Sequence, residues 1–593
     1  MSTAETTAAQ TTAAGPSADP KSRWLVVVGG QTAEPDRDLV GGKAWSLWRM
    51  ASLGLTVPPA FVVTTDACKA FFDGGKTLPD GMAQELRVGI AGLEATLGRT
   101  FGGTHQPLLV SVRSGAAVSM PGMMDTILNL GFTDDVERAL AEETGSAQFA
   151  AEVNRRFHAF YGQLVLGCAD DLDSHDCADA VRAAIVGETG RDVPQDPWQQ
   201  LESAVASVFE SSRTRRAIAY RTHHGIPQDL GTAVTIQAMV FGNLDDDSGT
   251  GVLFSRNPLS GEREAYGEYL PRGQGEDVVS GRVTPEPLAR LADRAPDVHR
   301  ELLAAAERLD AHGRDAQDIE FTVQQGTLYM LQSRPAKRTA RAAVRIAVEL
   351  VDEEVITPRE ALRRVTPEQV TTLLRPVVDP ASITAATLLG AGTSACPGVA
   401  SGLAVATPEE AEQIPNSILV RKNTSPEDVH GMIAAAGVVT ETGGATSHAA
   451  VVSRALDTPC VVGYPGAVAD LVGKIVTVDA VTGKVYSGEL PTVSVDESED
   501  TDLQRLIGWA REYSPVDVIR GDAPEPVFDA ESPADVDPDA VPDIPAGTVS
   551  VRGAVFGRRD ALRAALDAGV RTVVADRALP VLLAAIALQE ERR

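Results

Sequence analysis

Gly443-Gly444-Ala445-Thr446-Ser447-His448-Ala449-Ala450-Val451-Val452-Ser453-Arg454 sets one histidine just after a glycine turn and just before an apolar, helix-forming run. That order predicts an imidazole at a helix N-terminus, where unpaired backbone N–H groups and the helix dipole favour an anion. Imidazole is also largely neutral, and so nucleophilic, near neutral pH. A histidine that carries a phosphoryl group needs both properties; the plainer reading is a histidine that caps or packs. The flanking glycines, hydroxyls and Arg454 all suit a phosphate, so His448 is read as a phosphoryl carrier.

The 593-residue chain exceeds what one core supports, and at roughly 150 residues per domain it divides into three or four units. A net charge of −29 repels nucleic acid and anionic membranes, so neither is expected as a partner. Any phosphate site must then be built locally from Arg, Lys and backbone N–H groups. The five cysteines are scattered without metal-ligand spacing, which predicts a reduced, cytoplasmic protein. No apolar run approaches the ~18 residues of a membrane span. Residues 1–20, rich in Ala and Thr, read as a disordered tail.

Residues 21–340 alternate β-rich runs (25–28, 61–64, 108–112, 234–241, 251–254) with helical patterns, and about 136–221 reads as a helical insertion. Residues 341–385 read as linker helices, and 386–490 as a second compact α/β unit. Residues 491–546 are acidic and proline-rich, a solvated linker enclosing one short helix; 547–593 form a short α/β remnant.

Three patches of the first unit could build a phosphate site. Gly41-Gly42-Lys43 opens a helix, bringing backbone and an amine close to an anion, although such a triplet is common. Residues 108–112 read as a strand delivering Arg113 to a loop rich in glycine and hydroxyls, Ser114 to Thr126, that can wrap a polyphosphate or be an ordinary surface loop. Third, Asp318 and Glu320 alternate on one strand, and Gln332 and Arg334 on the returning one. A two-residue Gln325-Gly326 turn would set Glu320 opposite Leu331 and split this polar set. An odd loop, or a bulge at Gly326, brings all four heads to one side. Carboxylates there would hold Mg²⁺ on nucleotide phosphates; the alternative is the solvent face of an edge hairpin.

GGKAWSL, SVRSGAAVSMPGMMDTILNLG, HGIPQDLGTAVTIQAMVFGN, DDSGTGVLFSRNPLSGE, YGEYLPRGQGEDVVSG, QDIEF, LQSR and TSPEDVHGM together resemble the pyruvate, phosphate dikinase family over about residues 24–490. The resemblance implies an ATP-grasp nucleotide domain and a swivelling phosphohistidine domain. It implies that Lys43, Arg113, Asp318, Glu320, Gln332 and Arg334 bind ATP, with Asp318, Glu320 and Gln332 on Mg²⁺, and that Arg156 and Glu276 join them. His448 would be phosphorylated from ATP and inorganic phosphate, giving AMP and pyrophosphate. Thr446 matches a regulatory phosphosite of some members. The family's (β/α)₈ barrel for pyruvate and phosphoenolpyruvate needs roughly 250 residues, more than follow Gly488. The expectation is therefore a first half-reaction here, with a separate barrel protein completing the second. Two alternatives are a phosphotransferase to another small molecule, as in antibiotic-inactivating relatives, and a non-catalytic ATP-binding regulator.

Overall fold

The computed structural model describes residues 23–29, 32–116, 126–169, 171–223, 226–228, 230–279, 283–375, 377–456, 458–493, 496–522, 524–530 and 543–592. The 1–20 tail, the 117–125 part of the Arg113 loop and the 531–542 part of the acidic stretch lie outside the described residues.

Two antiparallel five-stranded sheets build the first unit. One runs Leu25–Val28, Ala60–Val63, Ala233–Ala238, Val110–Gly115, Thr126–Leu130; the other Glu286–Pro287, Tyr266–Pro271, Gly249–Phe254, Gln317–Gln324, Thr327–Pro335. The helix Arg37–Ser52 joins them. Its Val40, Ala44, Leu47 and Met50, at helical spacing, share a core with Ala60 and Val62 of the first sheet and Leu253, Ile319 and Met330 of the second. Burying such side chains stabilises by ~1.5–3 kcal/mol each, which fixes the helix start between the sheets.

The expected insertion forms helices Asp134–Thr144, Ala147–Leu164, Ala178–Thr189, Pro197–Ser211 and Arg215–His223. Side chains of Thr133, Ser146 and Asp196 accept the first-turn N–H groups of Val136, Phe149 and Trp198, which sets three of the starts. These helices are not a separate body: Val153, Phe157, Leu201 and Val205 belong to the same core as Val110, Ile127 and Ile236 of the first sheet.

The second unit is an eight-stranded sheet in the order Leu388–Ala391, Lys484–Ser487, Ile475–Asp479, Val399–Val405, Ile418–Arg421, Gly437–Thr440, Cys460–Val462, Thr393–Cys396. Val399–Val405 through Cys460–Val462 are parallel, joined by the helices Pro408–Gln413, Val429–Ala434 and His448–Leu456. Loops at the carboxyl ends of such strands converge, and ligands gather there.

Residues 497–530 correct the expectation of a solvated linker. The helix Thr501–Tyr513 and the strands Asp517–Ile519 and Val527–Asp529 join Ser550–Arg552 and Thr572–Val574 in one parallel sheet. The helix Ala578–Glu591 is apolar on every side, and a helix of that kind must be buried. It packs with Ala340–Asp352, Pro358–Arg364 and Pro367–Leu373, so the expected linker helices share a core with the C-terminal residues. Arg359 and Arg363 both clasp Glu590, at 2.9 and 2.8 Å. Among the described residues no helix is long and apolar enough to cross a membrane.

Candidate active site

The hairpin Gln317–Gln324/Thr327–Pro335 decides the polar cleft. Gln325 (φ 51°) and Gly326 (φ 73°) make a regular two-residue turn pairing Gln324 with Thr327. Pairing shifts between Glu320 and Phe321: Phe321 stands opposite Met330, and Glu320 opposite Gln332. Leu331 is therefore the extra residue, and the bulge lies there, not at Gly326. It puts Asp318, Glu320, Gln332 and Arg334 on one face.

On that face Arg334 Nε donates to Asp318 Oδ2 at 2.9 Å, and Arg334 Nη2 lies 4.0 Å from Glu320 Oε1. Lys43 reaches across from the kinked helix and donates from Nζ to Gln332 Oε1 at 3.0 Å. Arg113 leaves its strand beside them, with Nε buried and without a hydrogen-bond partner among the described residues. Burial lowers the Lys43 pKa to about 7, with Arg113 and Arg334 adding to the shift and Glu320 and Glu276 opposing it. Burial pushes the Glu320 carboxyl up, but Lys43, Arg334 and Arg113 outweigh it and hold it below the usual carboxylate range. These groups keep some surface toward the cleft while protein packs them on the other sides, so their fields act in a poorly screened space.

Glu276 opens the short helix Gly275–Val279, and its Oε2 is buried without a partner among the described residues. Burial raises its pKa to about 8, against the pull of Arg113. Arg156 is placed one step behind the cleft. Its guanidinium is taken up by Glu152 at 2.7 Å and Asp277 at 2.9 Å, which braces the helix carrying Glu276.

For Mg²⁺ the cleft offers hard oxygen donors. Asp318 Oδ1 is buried without a partner among the described residues, and Glu320 stands beside it ionised, whereas Gln332 Oε1 already accepts from Lys43. Among the described residues no cluster of three or more His, Cys, Asp and Glu is gathered, so a cation here would also need oxygens from its ligand or water. Asp318 and Glu320 fit a nucleotide-bound magnesium better than a protein-caged one.

His448 begins the helix His448–Leu456 at the carboxyl end of Gly437–Thr440. Thr424 follows the adjacent parallel strand Ile418–Arg421, so the two loops meet and Thr424 Oγ1 lies 3.1 Å from His448 Nδ1. Nε2 is buried without a partner among the described residues. Burial lowers the His448 pKa to about 4, and Asp428 and Glu427 oppose this without overcoming it. The imidazole is neutral at pH 7, and the tautomer in which Nδ1–H donates to Thr424 is the one that carries its lone pair on Nε2.

The carrier rests against the nucleotide unit. Glu268 accepts from the backbone N–H groups of Ala445 (3.0 Å) and Thr446 (3.2 Å) and from the Thr446 hydroxyl. A Cβ on Gly444 would lie 2.2 Å from Glu268 Oε1, so any larger residue would push this carboxylate aside. Thr446 is thus buried and bonded while the units are docked. Sequence reasoning missed Thr424, Glu268 and Asp277; TSPED and YGEYLP contain the first two, but only the fold gives them partners.

A family model described as pyruvate phosphate dikinase, AMP/ATP-binding domain, matches residues 37–84, 76–301 and 295–355, and one for the PEP-utilising enzyme mobile domain matches 413–483. The chain is 41% identical over 544 residues to the pyruvate, phosphate dikinase of Rhizobium meliloti, covering 82% of this chain and 60% of that protein. It is 41% identical over 538 residues to that of Clostridium symbiosum (83% and 61%), and 41% over 537 to a chloroplastic one of Zea mays (84% and 56%). The chain thus spans about 60% of the length of these relatives. The mobile-domain match is to a PEP-utilising enzyme, which lends no support to the doubt over the pyruvate half-reaction. Nor does anything support a separate barrel protein, since each relative carries the pyruvate name on one chain. The antibiotic-type and regulator alternatives are not favoured by these matches. With the nucleotide-domain model alone matching more than half of its residues, the chain belongs to the pyruvate, phosphate dikinase family.

Proposed function

We propose that this chain transfers a phosphoryl group from ATP to His448 Nε2 and passes it on to pyruvate, forming phosphoenolpyruvate. The observation that carries this is a neutral imidazole with Nε2 unbonded and Nδ1 paired with Thr424, on a carrier that rests against the nucleotide unit through Glu268. Nε2 attacks the β-phosphorus of ATP, breaking its bond to the α,β-bridging oxygen and releasing AMP. Inorganic phosphate then attacks the terminal phosphorus, leaving as pyrophosphate and His448 as phosphohistidine. Lys43, Arg113 and Arg334 bind the phosphates, and Glu276 remains protonated at pH 7 as a hydrogen-bond donor. A magnesium ion held through Asp318 and Glu320 would neutralise charge on those phosphates.

Incubation with β-³²P-ATP should give an acid-labile label with or without phosphate, whereas γ-³²P label should leave as pyrophosphate when phosphate is added. No acid-labile label under any metal or phosphate condition overturns the reading. Chasing the label with pyruvate tests the second half: label recovered as phosphoenolpyruvate supports it, and label left on the protein removes it.

Lys43 adds a pH dependence. With a pKa of about 7 in the free cleft it is mostly neutral at pH 8, and a polyphosphate must raise that pKa. ATP binding should therefore take up a proton through Lys43 at pH 8 and little at pH 6. Calorimetry in buffers of different ionisation enthalpy should show about one proton less taken up at pH 8 by Lys43→Met than by wild type. Equal uptake in both proteins would show that Lys43 is already charged.

A further inference from the structure

Arg334, Asp318, Phe254 and Tyr266 stand opposite one another on four neighbouring strands. Directly paired residues project from the same face, so these four side chains form one row across the second sheet. The row begins in the polar cleft and ends under the carrier. Onto it the carrier lays Arg454, six residues beyond His448 on the same helix, with its guanidinium carbon 5.8 Å from the Phe254 ring centre.

Arg454 is only 6% exposed and half satisfied. Nη1 donates to the carbonyls of Ala445 (2.8 Å) and Ala395 (3.1 Å), while Nε and Nη2 are buried without partners among the described residues. Asp318, 3% exposed, is its counterpart: Oδ2 accepts from Arg334 and Oδ1 is open. Burial pushes the Arg454 pKa down, with the thiols Cys396 and Cys460, Asp318 and Tyr266 opposing; of these four, only Asp318 is a carboxylate. An unsatisfied edge on a buried charged group is costly on either side of an interface, and two of opposite sign facing the same row can relieve each other.

We propose that Arg454 is a positioning residue that couples nucleotide occupancy of the cleft to docking of the His448 carrier, through Asp318. This rests on reading Arg334 as a phosphate ligand. A phosphate anion draws Arg334 away from Asp318, and the freed Oδ2 turns to the open edge of Arg454 while Oδ1 still faces the cleft. The docked arrangement gains, and the Nη1 bond to Ala445 ties that gain to the turn preceding His448. By linkage, docking tightens nucleotide binding by the same factor.

Docking can be read from the amides of Ala445 and Thr446, whose acceptor Glu268 lies on the other unit. Hydrogen exchange of the full chain is measured with and without the β,γ-imido analogue of ATP, in EDTA so that no divalent cation competes for Asp318. In wild type, protection of these amides should rise about tenfold on adding nucleotide. In Arg454→Gln the rise should vanish and nucleotide affinity should fall by the same factor; Arg454→Lys should recover part of both. If Arg454 only held the Ala445 carbonyl, the Gln variant would keep the nucleotide-dependent rise, and that result, or no rise in wild type, overturns the proposal. Should Arg454→Gln fail to fold, Asp318→Asn should likewise abolish the nucleotide-dependent rise, read from the amides alone at saturating nucleotide because Asp318 also holds Arg334 in the cleft. Failure of the functional reading is separate: it leaves His448 unlabelled whether or not nucleotide protects these amides.

Discussion

In His448→Ala the acid-labile label from β-³²P-ATP falls to background, at least ~10⁴-fold below wild type, while ATP affinity changes less than about twofold. Total loss follows because no other nucleophile takes the place of Nε2. Thr424, Thr446 and Ser447 are the nearby hydroxyls, and a hydroxyl stays protonated at pH 7, so it attacks phosphorus poorly; that of Thr446 is also taken up by Glu268. Affinity is spared because Lys43, Arg113 and Arg334, the proposed phosphate ligands, all sit on the other unit, and the groups that act on His448 are Asp428, Glu427 and Thr424. Thr424→Val should lie between: with no acceptor at Nδ1 the tautomer and ring angle are free, and labelling should slow by ~10–100-fold. The pH profile adds a check. Because the His448 pKa is lowered to about 4, the imidazole stays neutral as pH falls from 8 to 6, so its own protonation should not slow labelling there. The same shift costs stability at lower pH. Between about 6.5 and 4 the unfolded imidazole binds a proton that the folded one refuses, so the carrier weakens as pH falls through that window. A label surviving in His448→Ala, measured by acid lability and intact mass, would place the carrier elsewhere.

What the sequence made legible was local. His448 after its glycines, Lys43 behind Gly41-Gly42 and the alternating Asp318/Glu320 and Gln332/Arg334 pairs are short-range patterns set by helix starts and strand pleating. The bulge at Leu331 was not legible, because the expected signal for a bulge is glycine and an apolar core residue carries none. Thr424 lies 24 residues before His448, and the two meet only because parallel neighbours end at the same edge. Glu268 is 178 residues before Thr446 and looked like any strand carboxylate. The C-terminal sheet was hidden by composition: acidic residues and prolines flank Asp517–Ile519 and Val527–Asp529, and three-residue strands hold too few apolar positions to show a period. Contacts made across units leave no periodic trace in either partner, so the docking surface had to come from the fold.

Gly41→Ala should weaken ATP binding by ~100-fold or more while the carrier stays folded. Gly41 interrupts the helix Arg37–Ser52 with φ 76° and ψ 159°, a conformation essentially confined to glycine that costs other residues ~1–3 kcal/mol. Space is the larger obstacle. A Cβ there would lie 1.8 Å from the carbonyl oxygen of Gly115 and 2.6 Å from its carbon. Neither backbone can yield easily: Gly115 pairs with Ala233 at the end of its strand, and the N–H of Gly42 donates to Ala116 at 3.0 Å. Forcing in the methyl group adds ~1–3 kcal/mol of overpacking. The two strains together come to about 2–6 kcal/mol, a range that spans the roughly 2.7 kcal/mol a hundredfold loss represents. Relief must come from separating the Gly41-Gly42-Lys43 turn from the Arg113 strand, which pulls Lys43 off Gln332 and opens the cleft proposed to hold the phosphates. Gly187→Ala, on the helix Ala178–Thr189 with nothing within 4 Å of the added methyl, is the control and should bind ATP as wild type does. Calorimetric titration of both variants checks this, with far-UV circular dichroism to confirm the fold. Wild-type affinity in Gly41→Ala would mean that the glycine pair and the Arg113 strand are not in contact when ATP binds.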